Sequence, residues 1–92
     1  MPKTFVIEDQ IHAEPFGEFN TIAEAWAELD RIARIPWDES PNVAPCKSWQ
    51  SCGRDYEIIE YETGAFPWVE TARYAGLEVN AKGISWGSEA PR

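Results

Sequence analysis

The chain has 92 residues, with 16 acidic against 8 basic side chains and a formal net charge of −8. That length suits one domain with its own core, needing no disulfide or metal staple, and 43% apolar residues is a globular composition rather than a disordered one. The few, scattered bases argue against direct nucleic-acid binding, and no run approaches the roughly 20 apolar residues of a membrane span.

With no apolar leader core near its start, the chain is expected in the cytoplasm, as a single domain over residues 1–92. Thr4–Ile11 (TFVIEDQI) predicts a first strand with Phe5 and Ile7 on the core side. His12–Phe19, with Pro15 and Gly17 around Phe16, has a turn-forming composition.

The most ordered signal follows. Across Thr21–Ile35, residues Ile22, Ala25, Trp26, Leu29, Ile32 and Ala33 recur at helical spacing and form one apolar stripe. Thr21 and Glu24 fit a capping box, Arg31 and Arg34 complement the far end of the helix dipole, and Pro36 stops the run.

Residues 36–54 (PWDESPNVAPCKSWQSCGR) show no period and predict a long loop. Trp37 and Trp49 are costly to leave in water, so the loop is expected to pack on the domain. Asp55–Glu62 (DYEIIEYE) reads as a strand with apolar residues on both faces, hence a central one. Gly64 and Pro67 break it, and Trp68–Tyr74 is then a short edge strand or an irregular crossing. Leu77–Val79 and Ile84–Trp86, joined through Asn80-Ala81-Lys82-Gly83, predict a hairpin whose glycine is needed for its backbone angles. Residues 87–92 (GSEAPR) are expected to be a frayed tail.

These elements predict a two-layer α+β domain: one amphipathic helix on a mainly antiparallel sheet of four or five strands, in the order β-α-loop-β-(β)-β-β. One helix cannot cover such a sheet on both sides. The second face must be solvated, roofed by the 36–54 loop or buried against another chain.

Chemistry-bearing residues are sparse. Cys46 and Cys52, with five residues between them, match neither the CxxC of thioredoxin-like chemistry nor a zinc knuckle; packed thiols are the plainer reading, and a thiol redox pair or a metal site, with Arg54 and His12 as accessories, is the alternative. The acidic pairs Glu8/Asp9, Asp38/Glu39 and Glu60/Glu62 lack any sign of the split environments that acid–base catalysis requires. No phosphate loop, nucleophile elbow or metal-protease motif occurs, and neither cofactor nor catalytic residue is implied.

Five tryptophans are many for this length. Trp26 belongs to the helix stripe. Trp37, Trp49 and Trp68, with Tyr56 and Tyr61, are the candidate contact residues, since large aromatics dominate binding hot spots; packing beneath the long loop is the plainer role for them. The expected function is an acidic protein-binding module without catalytic activity, meeting a protein partner or a second copy of itself. An acidic mimic of nucleic acid is the alternative, because Glu8–Asp30 and Asp55–Glu70 contain acids and no Lys or Arg; were these segments neighbours, one surface would be strongly negative.

Overall fold

The stripe read from the sequence is what the sheet folds around. The computed structural model describes residues 2–43 and 53–88. Strands β1 (Lys3–Asp9) and β2 (Glu14–Phe19) precede helix α1 (Ile22–Ala33), and β3 (Gly53–Glu62), β4 (Val69–Asn80) and β5 (Gly83–Trp86) follow it. All neighbours pair antiparallel in the order β2-β1-β3-β4-β5. This is the expected α+β arrangement, with the helix on one face of an open five-stranded sheet.

Thr21 caps α1 by accepting from the Glu24 amide at 3.2 Å, while its hydroxyl donates to the Glu24 carboxylate at 3.0 Å. Half of the capping box is therefore formed by the backbone and half by the side chains. At the other end Asn42 turns back under the helix, its Nδ2 donating to the carbonyls of Ile32 and Ile35 at 3.1 and 2.8 Å. The Ile32 carbonyl also accepts from the Ile35 amide at 3.0 Å, and the buried Asn42 amide supplies a second donor there and a donor for the Ile35 carbonyl just beyond the helix. Ala25, Leu29 and Ile32 pack onto Phe5, Ile7, Tyr56, Ile58, Leu77 and Val79, and Trp26 and Trp37 close the margin of that core. The segment after α1 thus folds back on the domain up to residue 43; residues 44–52, with Cys46, Trp49 and Cys52, lie outside the described residues, as do residues 89–92 of the tail.

Two elements differ from expectation. Glu14–Phe19 is a strand rather than a turn. Pro15 is tolerated because β2 is an edge strand, where a missing N–H breaks no central ladder. Gly17, at φ 113°, supplies a bulge: Val6 pairs with Glu18 and Glu8 with Pro15, so Phe16 and Gly17 together oppose Ile7. The extra residue resets the alternation. Glu14, Phe16 and Phe19 consequently serve the helix side, and Pro15 and Glu18 the open side.

The second difference is β4, which runs unbroken over 12 residues, through Gly76, where a short strand or crossing was expected. Gly76 does not interrupt it because it is the extra residue of another bulge, between the Tyr56–Leu77 and Glu57–Ala75 pairs. A β-carbon there would stand 2.7 Å from both Leu29 Cδ1 and the Tyr56 carbonyl oxygen. Glycine lets the helix approach the strand. The β4–β5 hairpin forms as expected, tighter by its Asn80–Gly83 pair, with Gly83 at φ 121°. Gly87 is tied down as well, donating to the Gly76 carbonyl at 2.7 Å.

Candidate functional site

The open face of the sheet carries the candidate site. Cross-strand pairing places Val6 beside Ile59, Thr4 beside Tyr61 and Ile59 beside Arg73. Among the described residues no helix covers this side, yet Ile59 is fully buried and Val6 nearly so.

At one end the face opens into a cleft of about 600 Å³ lined by Val6, Pro15, Gly17, Glu18, Tyr61, Phe66 and Trp68. The Tyr61 and Trp68 ring centroids are 5.9 Å apart, with their planes tilted by 50°. Phe66 is 94% exposed, an unusual position for a phenylalanine, and Trp68 and Val69 are also exposed. The size is that of a ligand-binding cleft, and contiguous exposed aromatic surface marks a contact site. Glu18 is the only charged residue in the lining, and its side chain has no hydrogen bond or ion pair among the described residues.

Beside the cleft, Arg73 holds the acids of the open face together. Its Nε and Nη2 donate to Glu70 at 3.1 and 2.8 Å, and its Nη1 donates to Gln10 and Glu57 at 2.7 and 2.9 Å. The Glu70 and Glu57 carboxylates raise the Arg73 pKa above its ordinary value, and the Arg73 guanidinium in turn lowers that of Glu70. Burial, with Glu8 and Glu70 close by, pushes the Tyr61 phenol up, so its hydroxyl stays neutral.

A second polar cluster lies on the helix side. Arg54, 5% exposed, donates from Nη1 to Asp9 Oδ2 at 2.9 Å and to Glu14 Oε1 at 2.7 Å, and from Nη2 to the Val43 carbonyl at 2.8 Å. Its guanidinium carbon is 5.1 Å from the Phe16 ring centroid, and Phe16 meets the Tyr56 ring edge-on at 5.3 Å. Fully buried Asp9 also pairs with His12 Nδ1 at 2.6 Å and accepts from the Ile11 and Asp55 amides at 3.0 Å each. Asp9, His12 and Glu14 offer metal-ligand atoms within 4.8 Å of one another, but the Arg54 guanidinium is already bound to both carboxylates. A cation is built into this cluster, and its evident work is to tie the β1–β2 turn to β3.

Burial alone would raise the Asp9 pKa; the Asp55 amide, Arg54, His12 and the Ile11 amide outweigh it and hold the carboxyl below its ordinary value. A carboxyl with a depressed folded pKa stabilises the fold fully above its unfolded value, about 3.9, and loses that contribution as the pH falls through the folded one. The stability difference between the wild type and Asp9→Asn is therefore expected to narrow below about pH 4. Urea unfolding at a series of pH values checks this, and a gap that widens on acidification would contradict it.

The structure separates the aromatic residues singled out from the sequence. Tyr61 and Trp68 meet in the cleft. Tyr56 is fully buried on the opposite face, its hydroxyl donating to Asn42 Oδ1 at 3.0 Å, and burial pushes its pKa well up; it serves the core and is away from the cleft. Trp37 is half-buried against the core, while Trp49, Cys46 and Cys52 are outside the described residues. Val6, Pro15, Glu18 and Phe66 were not foreseen as site residues. Phe66 carried a signal, being a large aromatic in a segment that otherwise reads only as a strand breaker. Glu18 carried none, because its face depends on the Gly17 bulge.

No known protein family, curated protein or solved structure matches this chain. Among the described residues no helix is long and apolar enough to cross a membrane.

Proposed function

We propose that the chain is a protein-binding module without catalytic activity of its own, and that its contact surface is the open sheet face around the Tyr61–Trp68 cleft. The observation that carries this reading is Phe66, almost wholly in solvent at the rim of an aromatic cleft with Trp68 and Val69 exposed beside it. Aromatic side chains supply the largest binding energies in protein interfaces, and burying this group gains what leaving it in water forgoes.

Replacing Phe66 with a photo-crosslinking benzophenone analogue tests the reading in cells. A discrete protein adduct is expected from position 66 and none from position 31, on the exposed side of α1. Equal labelling from both positions, or none from position 66, would defeat it. Sedimentation velocity on the purified protein then distinguishes a second copy from a different partner.

The nucleic-acid mimic remains the second reading. Its support is that the two base-free segments do meet, with Glu8 paired to Glu57 across β1 and β3. Against it, Arg54 engages Asp9 and Glu14, and Arg73 engages Glu57 and Glu70, so much of that charge is neutralised where it would have to substitute for phosphates. The thiol reading rests on residues outside those described.

A further inference from the structure

We infer that the cleft is a receptor for an arginine side chain of the partner, with Glu18 as its counter-charge; this rests on the open face being the contact surface. Three aromatic rings, Tyr61, Phe66 and Trp68, line the cleft together with one carboxylate. Aromatic faces attract cations, and a planar guanidinium both stacks on rings and forms paired hydrogen bonds to a carboxylate, which an ammonium cannot do.

Glu18 stands ready for this role. The acids of the open face closest to the cleft are engaged, Glu57 and Glu70 by Arg73 and Glu8 by the Gln10 side-chain amide at 2.9 Å, while Asp55 and its cross-strand neighbour Glu78 stand towards the far end of β3, away from Tyr61. Glu18 alone among the lining residues is charged, and its side chain has no partner among the described residues. The protein's own arginine on this face is anchored by four donor contacts to Glu70, Gln10 and Glu57, so Arg73 does not fill the cleft.

The same strand shows the chemistry carried out on its other side. There Arg54 lies over Phe16 with a 2.7 Å bond to Glu14, an aromatic residue and a glutamate of β2 holding one guanidinium. The Gly17 bulge puts Glu18 on the opposite face, where Tyr61, Phe66 and Trp68 take the place that Phe16 has beside Arg54. A partner with a basic contact segment also complements a chain of net charge −8.

Titration of the isotope-labelled full chain with three capped tripeptides, Gly-Arg-Gly, Gly-citrulline-Gly and Gly-Lys-Gly, followed by the Trp68 indole and Glu18 amide signals, tests the inference. The arginine peptide is expected to bind at least about tenfold more tightly than the citrulline peptide, the scale of one charge-assisted hydrogen bond, and more tightly than the lysine peptide. Glu18→Gln, at an exposed position that leaves the fold intact, is expected to weaken arginine binding about tenfold and to leave citrulline binding unchanged. Equal binding of arginine and citrulline, arginine binding indifferent to Glu18→Gln, or a lysine peptide as tight as the arginine one would overturn the inference. A cross-link from position 66 with no arginine preference would leave the contact surface standing and remove only its arginine; loss of that cross-link would remove the surface itself.

Discussion

Arg54→Ala is expected to destabilise the protein by about 3–5 kcal/mol, the cost of breaking a buried ion pair from one side. Asp9 is fully buried, and without the guanidinium its carboxylate loses its charge partner while remaining fixed by the Asp55 and Ile11 amides. Glu14 suffers less, because its side chain is 43% exposed and can turn to water. Changing both ends of the buried pair should therefore be milder than the two single changes suggest: the Arg54→Met, Asp9→Asn double variant is expected to lose less stability than the sum of the singles. Chemical denaturation of the four proteins measures this cycle. Additive losses would mean that the two residues act separately and that the cluster is not the clasp between the β1–β2 turn and β3.

Leu29→Ala is expected to cost about 2–5 kcal/mol, since Leu29 is fully buried where α1 meets β4 and its removal leaves a cavity. The same contact makes Gly76 informative. A methyl group at residue 76 would meet Leu29 Cδ1 and the Tyr56 carbonyl oxygen at 2.7 Å each, so Gly76→Ala is expected to cost about 1–3 kcal/mol by overpacking. Shortening Leu29 relieves only the first of those contacts. Gly76→Ala should then remain destabilising in the Leu29→Ala background, because a strand carbonyl cannot move aside as a leucine methyl can. Thermal unfolding of both singles and the double decides it; full rescue would show that the helix alone dictates glycine at this position.

The parts of the fold legible in the sequence are those fixed by short-range pattern. The helix announces itself through a stripe of six residues and a Thr21–Glu24 start, and β3 through apolar residues on both parities. Ile58 does pack under the helix and Ile59 is buried on the open side. Tyr61 and Trp68 were legible as contact candidates from residue type alone, and the structure brings their rings together. What escaped the pattern were the bulges. Gly17 and Gly76 resemble strand breakers locally, yet each occupies an inserted position inside a strand, and their consequences depend on neighbours far away in the chain: Ile7 opposite Gly17, Leu29 and Tyr56 around Gly76. The Arg54 cluster escaped for the same reason, its partners Asp9 and Glu14 being 45 and 40 residues distant. The base-free segments did become neighbours, but their negative field is reduced by two arginines from outside them.

The most direct test of the open face as the contact surface is the dependence of the position-66 cross-link on Trp68. Trp68 is 40% exposed and outside the helix-side core, so Trp68→Ala should leave the fold in place, as its unfolding transition would verify. The adduct from position 66 is expected to disappear in that variant; an adduct of undiminished yield would show that the partner reaches residue 66 without using the cleft.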